Sequence, residues 1–356
     1  TGQHTAQVPS LIDGSIGDQE IGDCFADVYN KLYNSISYNS HEMSNLIDVL
    51  NDDICKNNLD SPKVDVNDIF NVMKRVKPSK KDGFGILSTD HFIKGSHKLH
   101  CHLALLFQTM IWHGYSPDGF NLSTIKPLLK DKRKSANDSS NYRAIALSSP
   151  LSKIFDHLII SKFSHCLSSE DTQFGFKSGS STTKCTFTLN ECINYFEKRG
   201  SDAYVLLLDC SKAFDKVNYV RLFLLLRERG VHPMYIKCLL YMYTNQHINV
   251  SWNSKMSKYF NVSNGVKQGG VLSPILFSVY VNNILIRLKN SAYGCKIGHV
   301  YSGAYAYADD VALVAPSIYS LKQMCNICNQ FANEYQLLFN PSKCKLVVPS
   351  GKCDFN

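Results

Sequence analysis

The sequence predicts an α+β fold, in which strands and helices mix without a regular strand–helix–strand alternation. Residues 204–208 (YVLLL) form a continuous apolar run that is typical of a strand buried on both faces. The apolar residues of 220–243 instead recur at helical spacing. No internal repeat of about 20 to 50 residues and no low-complexity tract is visible, so the architecture is expected to be non-repetitive.

Residues 1–60 are predicted to be an acidic leader that ends in a linker. A leader helix is predicted because one helical face carries Ile21, Phe25, Val28, Tyr29 and Leu32. The polar residues 51–61 predict the linker.

Between residues 61 and 200 the pattern predicts helices, one strand and basic loops. Pro78 and Gly83 interrupt the lysine-rich segment 72–85 and predict a basic loop. The other predictions are a helix at 96–112, a strand at 123–130, a charged loop at 131–141, a helix at 150–167, a Gly/Ser loop at 175–181 and a helix through Cys192.

In residues 201–356 the pattern begins with the 204–208 strand. Ser273 and Pro274 are a favourable N-cap and first-turn pair, and they predict a helix to about Arg287. The other predictions are the helical region 220–243, a loop at 263–270, a strand–turn–strand unit around 307–313, a helix at 321–335 and a short strand at 344–348.

Charge is unevenly distributed along the chain. The 356 residues have a formal net charge of +8, yet residues 1–60 hold ten Asp or Glu and only two Lys. The rest of the chain therefore carries 36 basic and 20 acidic side chains. A basic surface favours a polyanionic partner through counterion release, although ordinary basic proteins show the same surplus.

The cysteines indicate a reducing compartment. There are 13 of them, an odd number, scattered from Cys24 to Cys353 without the spacing of a disulfide framework. The sequence has no signal peptide and no apolar run of about 18 residues. We therefore expect a soluble intracellular protein, with the nucleus and the cytoplasm both open. Because the chain begins at Thr1 and stops at Asn356, we interpret it as a piece of a longer polypeptide.

The segment Tyr307-Ala308-Asp309-Asp310 carries the sharpest local signal. Small and apolar residues flank it from 304 to 314 and predict a half-buried hairpin. Two adjacent carboxylates in such a hairpin repel each other and lose hydration unless a cation is bound. Taken alone, an Asp-Asp pair in a turn is more often ordinary turn chemistry.

Asp209 strengthens the interpretation as a metal site. It ends the apolar 204–208 strand, 100 residues before Asp309, and a neighbouring hairpin would bring Asp309 and Asp310 beside it. The three carboxylates could then share two Mg²⁺ ions, with Mn²⁺ as the alternative. Such a pair of ions activates an attacking 3′-hydroxyl and stabilises a leaving pyrophosphate. The other role open to Asp209 is that of a strand-end cap.

Several segments resemble reverse transcriptases. Residues 208–215 (LDCSKAFD) are similar to the first palm motif of that family, and residues 307–310 (YADD) to its catalytic hairpin. Three further segments resemble parts of the fingers: 72–85, where the fingers begin, 142–145 (YRAI) and 173–176 (QFGF). Residues 264–276 (NGVKQGGVLSPIL) resemble the loop and helix that hold the template and the incoming nucleotide, and 340–345 (NPSKCK) resemble the lysine-bearing motif after the hairpin. All stand in family order. The SKAFD and KQGGVLSP wording resembles non-LTR (LINE-type) retrotransposons more than retroviruses.

The resemblance implies a right-hand polymerase fold with an antiparallel palm sheet backed by helices. It implies fingers at 61–200 and a palm at 201–356 after the 1–60 leader, and no thumb is expected because the chain stops soon after the last strand. The implied function is RNA-directed DNA polymerase, which transfers a nucleotide from dNTP to a primer 3′-hydroxyl by two-metal catalysis. The implied partners are an RNA template, a DNA primer and dNTP, with no membrane.

The resemblance also implies catalytic roles. Asp209, Asp309 and Asp310 would be catalytic and would bind the metal ions. Lys343 would be a catalytic proton donor to the pyrophosphate, or only an exposed strand-edge lysine. Phe214 would bind substrate as a gate against the nucleotide 2′-hydroxyl, or would be a core aromatic residue.

The other implied roles are in substrate binding. Gln268 and Gly269 would lie against the template and the nascent base pair, where glycine permits close backbone approach, or would form a plain turn before a helix. Arg143 and Lys130 would bind the triphosphate, Arg143 through its planar guanidinium and Lys130 as a point charge. Lys130 belongs to a run of basic residues, and such runs are commonly solvated loops.

Three alternatives are open. An RNA-templated RNA polymerase would share the palm chemistry, but Phe214 argues against it because a ribonucleotide enzyme must admit the 2′-hydroxyl. A catalytically inactive RNA-binding remnant is disfavoured by the intact carboxylates. A zinc site is disfavoured because two of its ligands would lie on a predicted helix and one in the lysine motif; its four ligands would be Cys325, Cys328, Cys344 and Cys353.

Overall fold

The computed structural model describes residues 9–56 and 61–348. The described helices are α1 (Asp18–Tyr33), α2 (Ser40–Lys56), α3 (Val66–Met73), α4 (Thr89–Ile93), α5 (His97–His113), α6 (Asp118–Asn121), α7 (Pro150–Lys162), α8 (Thr182–Glu197), α9 (Tyr219–Glu228), α10 (Pro233–Thr244), α11 (Ser273–Asn290) and α12 (Ile318–Tyr335).

The described strands are short except in two sheets. They are β1 (Leu11–Ile12), β2 (Ser15–Ile16), β3 (Leu122–Leu129), β4 (Tyr142–Ser148), β5 (Tyr204–Asp209), β6 (His247–Trp252), β7 (Lys255–Met256), β8 (Phe260–Asn261), β9 (Lys296–Ile297), β10 (Val300–Tyr301), β11 (Ala304–Tyr307), β12 (Asp310–Ala315) and β13 (Lys345–Val347). Together with the helices they confirm a mixed α/β architecture.

The chain divides into two compact units. The first comprises Thr1–Ser164 and Gly230–Ser273, and the second His165–Arg229 and Pro274–Asn356. The first unit is discontinuous along the chain. The physical reason is that the chain returns to the first unit after residue 229, where β6 pairs with β3.

The first unit is built on a sheet in the order β4-β3-β6-β7, with β8 also paired to β6. β3 is antiparallel to β4 and parallel to β6. The leader helix α1 contacts β6 and buries Ile21, Phe25 and Tyr29 in one apolar cluster with Ile125 and Val250. The acidic leader is therefore part of this unit's core.

The second unit is built on an antiparallel sheet whose described strands run β11-β12-β5-β13. Helix α8 contacts β11, and helix α12 contacts β12 and β5. Val205, Tyr305 and Val314 of the sheet form a buried cluster, against which Leu189 and Ile193 of α8 pack. The sheet is therefore backed by helices.

Most element predictions are confirmed. Helices α1, α5, α7, α8, α11 and α12 and strands β3, β5 and β13 lie close to their predicted bounds, and so does the β11–β12 hairpin. Each has a strong local pattern, such as the Ser273-Pro274 start of α11. Within the described residues, no helix has the length and apolar character needed to cross a bilayer.

Other predictions are wrong. Residues 51–56 of the predicted linker continue α2, because the buried Leu46 and Leu50 order the whole helix; residues 57–60 lie outside the described residues. The β5 strand is not buried on both faces, since Leu207 is 38% exposed. The prediction that region 220–243 is helical is confirmed, with two helices, α9 and α10, because Gly230 and Pro233 interrupt it. Strands β4 and β6 were not predicted.

Candidate active site

Three carboxylates lie at one end of the second unit's sheet. β5 ends at Asp209 and β12 begins at Asp310, and the antiparallel register makes these two residues Cα partners. Asp309 lies in the two-residue turn between β11 and β12, where Tyr307 and Asp310 are partners. The backbone pairing therefore sets all three residues at the same edge of the sheet.

The local sequence explains why charge begins at this edge. In β12 the residues from Val311 to Ala315 are buried, whereas Asp310 is exposed. In β5 the apolar run likewise ends at the partly buried Asp209. The apolar side chains of both strands stop where the sheet meets solvent, and the carboxylates start there.

The carboxylates perturb one another. Burial raises the pKa of Asp309, and the neighbouring charges of Asp310 and Asp209 raise it further. Asp310 is exposed, yet the surrounding protein desolvates it enough to raise its pKa, and the charge of Asp209 adds to the effect. Clustered negative charge of this kind is relieved by a cation.

Lys343 supplies a counter-charge to Asp209. Its Nζ lies 3.1 Å from Oδ1 and 3.0 Å from Oδ2 of that carboxylate. The Lys343 side chain is 61% exposed and that of Asp209 24%, so solvent screens the pair and its contribution to stability is small. The same ammonium acts to lower the pKa of both Asp309 and Asp310.

The three carboxylates are a set of oxygen ligands suited to a hard divalent ion. Carboxylate oxygens are ligands that Mg²⁺ prefers, and the ammonium of Lys343 occupies the place of a cation on Asp209. Within residues 9–56 and 61–348, no three His, Cys, Asp or Glu side chains are grouped so as to hold one metal ion in the present arrangement. Of the four cysteines considered above as zinc ligands, Cys328 is buried on α12, and Cys353 lies outside the described residues.

A cavity of about 600 Å³ opens beside the carboxylates. Asp209, Asp310 and Lys343 line it together with apolar residues such as Leu189 of α8 and Leu207 of β5. Ligand pockets usually have volumes of about 300–1,000 Å³, so this cavity suits a small molecule. Leu207, which is exposed on β5, forms part of the cavity wall.

Phe214 packs against two other aromatic rings. Its ring stacks on Phe277 with centroids 4.3 Å apart and an interplanar angle of 18°, and it meets the Phe176 ring edge-on at 5.8 Å. The residue is only partly buried. One face of the ring is thus held by α11, which is compatible both with a nucleotide gate and with a packing role.

The other predicted substrate-binding residues lie in the first unit. Arg143 is exposed on β4, opposite Leu128 of β3. The backbone N–H of Lys130 donates to the Asn141 carbonyl, and its Nζ donates to the Ser140 carbonyl at 2.8 Å. The Lys130 ammonium is therefore engaged with the charged loop in this arrangement.

Gln268 and Gly269 lie against the same strand as Arg143. The Ala146 N–H donates to the Gln268 carbonyl at 2.7 Å. Gly269 has φ +102°, and a Cβ there would lie 3.0 Å from the Ala146 carbonyl oxygen. This glycine is required by both its backbone conformation and its close approach to β4.

Two residues of this region were not singled out from the sequence. Asp156 of α7 accepts a hydrogen bond from the Leu272 N–H at 3.3 Å and ties down the loop that carries Gln268. Gln173 is fully buried and bonded to the backbone of Ala308, beside Asp309. The glutamine of QFGF was the available sequence signal, but the motif by itself does not identify its partner.

Comparison of the sequence with known protein families identifies the family of this chain. A profile of the family described as "Reverse transcriptase (RNA-dependent DNA polymerase)" matches residues 130–355, which is more than half of the chain. The chain belongs to the reverse transcriptase family. The matched part of this reverse transcriptase domain includes Arg143, the three carboxylates and Lys343.

Curated relatives of this reverse transcriptase domain come from mobile elements. The Retrovirus-related Pol polyprotein from type-2 retrotransposable element R2DM of Drosophila melanogaster is 25% identical over 252 residues, covering 70% of this chain and 24% of that protein. The RNA-directed DNA polymerase from mobile element jockey of Drosophila funebris is 24% identical over 304 residues, covering 82% and 32%. The chain thus spans about a quarter to a third of the length of these relatives.

A solved structure similar to this domain is that of telomerase from Candida albicans in complex with a fragment of telomeric RNA. The TM-score is 0.47 and the sequence identity 14%, with 64% of this chain and 43% of that chain covered.

Proposed function

We propose that this reverse transcriptase domain is the RNA-directed DNA polymerase of a non-LTR retrotransposon. The observation that carries the proposal is the pairing of Asp209 with Asp310 beside Asp309, inside the segment that matches the family. The reaction would join a dNTP to a primer 3′-hydroxyl. Its partners would be an RNA template, a DNA primer and dNTP.

Asp209, Asp309 and Asp310 would hold two Mg²⁺ ions, with Mn²⁺ as the alternative. Burial, together with the neighbouring carboxylate charges, raises the pKa of Asp309 and Asp310, and a bound cation would offset both effects. When bound, the ions would activate the 3′-hydroxyl and stabilise the pyrophosphate. A metal ion at Asp209 would compete with the exposed Lys343 ammonium, which could then donate a proton to the leaving group.

The antiparallel sheet β11-β12-β5-β13 would be the palm, with helices α8 and α12 packed on it. Residues 61–200 would supply the fingers. Arg143 on β4 and Lys130 would bind the triphosphate, since both are exposed cations at the ends of paired strands. Gln268 and Gly269 would meet the template and the nascent base pair, because the glycine backbone leaves room for close approach.

Phe214 would select the sugar. Its ring is held on one face by Phe277 and is partly exposed, as a steric gate requires. A ring closed against a nucleotide C2′ leaves no space for a 2′-hydroxyl. The choice of dNTP over NTP is therefore the feature that separates the proposed reverse transcriptase from an RNA polymerase.

The test is primer extension on a primed RNA template with dNTP or with NTP, each with Mg²⁺ and after chelation. We expect extension with dNTP and Mg²⁺ only. Asp310→Asn should abolish it, whereas Asp48→Asn, the same change at an exposed position on α2, should not. Extension with NTP alone would favour an RNA polymerase, and RNA binding without any extension would favour an inactive remnant.

A further inference from the structure

The side chain of Gln173 forms hydrogen bonds with the backbone of Ala308, the residue that precedes Asp309. Its amide oxygen accepts hydrogen bonds from the Ala308 N–H at 3.0 Å and the Gly175 N–H at 2.9 Å. Its amide nitrogen donates to the Ala308 carbonyl at 3.2 Å. Gln173 has no exposed surface, so water does not compete for these bonds. One side chain thus holds both polar backbone groups of Ala308.

Backbone hydrogen bonds of the residues next to Gln173 also hold this segment against β11. The Ala306 N–H donates to the Thr172 carbonyl, and the Phe174 N–H donates to the Ala306 carbonyl, both at 2.8 Å. The segment therefore lies along β11 as a short parallel bridge. At Gly175 a Cβ would overlap the Ala308 nitrogen and lie 2.9 Å from its Cα. The approach of this segment to the turn requires glycine.

The turn needs an external restraint. Ala308 has φ +58°, in the left-handed region that is sterically unfavourable for a non-glycine residue. It is the first central residue of a two-residue hairpin turn, a position where glycine is favoured. Strained backbone of this kind persists where the surrounding structure determines it. The next residue is Asp309, so the Ala308 conformation sets the direction of the Asp309 side chain.

We propose that Gln173 is a positioning residue for nucleotidyl transfer, which it serves by holding the Ala308–Asp309 peptide so that Asp309 shares one site with Asp209 and Asp310. This inference rests on the proposed polymerase function. It explains why the residue is an amide, since only a group that accepts and donates at once can satisfy both polar groups of Ala308. An ionised carboxylate would accept but not donate.

The test compares Gln173→Met with Gln108→Met. Gln108 is a matched control because it is also buried and also bridges backbone, accepting from the Val64 N–H and donating to the Pro62 carbonyl in the first unit. Both variants lose a buried bridging amide and should lose similar stability. Only Gln173→Met should lower kcat, by about tenfold or more, with little change in primer–template affinity and with a higher Mg²⁺ requirement.

A second readout does not depend on activity. Amide hydrogen exchange across residues 304–312 should speed up in Gln173→Met and stay unchanged in Gln108→Met. Unchanged exchange in the hairpin, or equal kcat in the two variants, would overturn the positioning role. An inactive wild-type protein would instead overturn the proposed function, and the exchange comparison would still decide whether Gln173 holds the turn.

If Gln173→Met does not fold, the near-isosteric Gln173→Glu takes its place. The introduced carboxyl would donate to the Ala308 carbonyl only when protonated, and burial favours protonation. Its rate relative to wild type should therefore rise as pH falls. A ratio that does not change with pH would contradict the role.

Discussion

Lys343 neutralises Asp209 across 134 residues of sequence, with its Nζ 3.0 and 3.1 Å from the two carboxylate oxygens. The pair joins two residues for which the sequence suggested separate catalytic roles. The ammonium and a bound metal ion would compete for the negative charge of this carboxylate. The exposed ion pair is weak enough to exchange.

Lys343→Met should therefore have two opposite effects. We expect the Mg²⁺ concentration for half-maximal rate to fall, because the competing ammonium is gone. We expect the maximal rate to fall about tenfold or more, because a proton donor is lost. Magnesium titrations of extension rate measure both. Lys345→Met, which makes the same charge change two residues away, is the control. An unchanged maximal rate would mean that Lys343 is only a strand-edge lysine.

Asp309→Asn should abolish extension and leave the fold intact. The substitution keeps the side-chain volume and removes a charge that repels Asp310 and Asp209. We therefore expect a Tm equal to or slightly above that of wild type, with nucleic-acid binding retained. Extension assays and thermal unfolding measure these effects. Extension within about tenfold of wild type would contradict the assignment of Asp309 as a metal ligand.

Phe214→Ala should relax the choice of sugar. Without the ring, a 2′-hydroxyl no longer clashes, so ribonucleotide use should rise markedly while deoxynucleotide use falls much less. The stability cost should be below about 3 kcal/mol, because the ring is only partly buried.

Single-nucleotide incorporation with matched dNTP and NTP, together with a melting curve, measures both effects of Phe214→Ala. Phe331→Ala is the control, since that fully buried ring stacks on Tyr335 and should lower Tm without changing sugar preference. A lowered Tm with unchanged sugar preference in Phe214→Ala would make Phe214 a packing residue.

Asp156 should make stability depend on pH. Burial raises the pKa of its carboxyl from 3.8 to about 6, while Lys267 and Lys153 oppose the rise. Between these two values the folded protein holds a proton that the unfolded chain has lost. The stabilising contribution is therefore complete below about pH 4 and is lost as pH rises through about 6.

Asp156→Asn should flatten this part of the stability profile. Denaturant unfolding at a series of pH values measures it, with Asp48→Asn as the control that keeps the wild-type profile. The nearby Lys267 has a pKa lowered to about 8 by burial, so its own effect falls in a higher pH range. Parallel profiles for wild type and Asp156→Asn would show that this carboxyl does not titrate as the structure indicates.

The success of the element predictions followed the strength of the local pattern. The β11–β12 hairpin and α12 were predicted because alternation and helical spacing are intrinsic to their own residues. Strand β4 was missed although its residues alternate between buried and exposed, since Arg143 lies within it and Pro150 follows closely. Strand β6 is short and directly follows a helix, and its pairing with β3 is not visible locally.

The sequence by itself determined the family and predicted which groups would bind metal. Asp209, Asp309 and Asp310 are distinctive because carboxylates that end apolar runs are costly without a cation. Only the tertiary structure decided that Asp209 faces Asp310, that Lys343 bridges to Asp209 and that Gln173 holds Ala308. Strand order and register set these pairs, and both depend on burying whole faces of a sheet. Residues more than 100 positions apart therefore come into contact although no local sequence pattern predicts the contact.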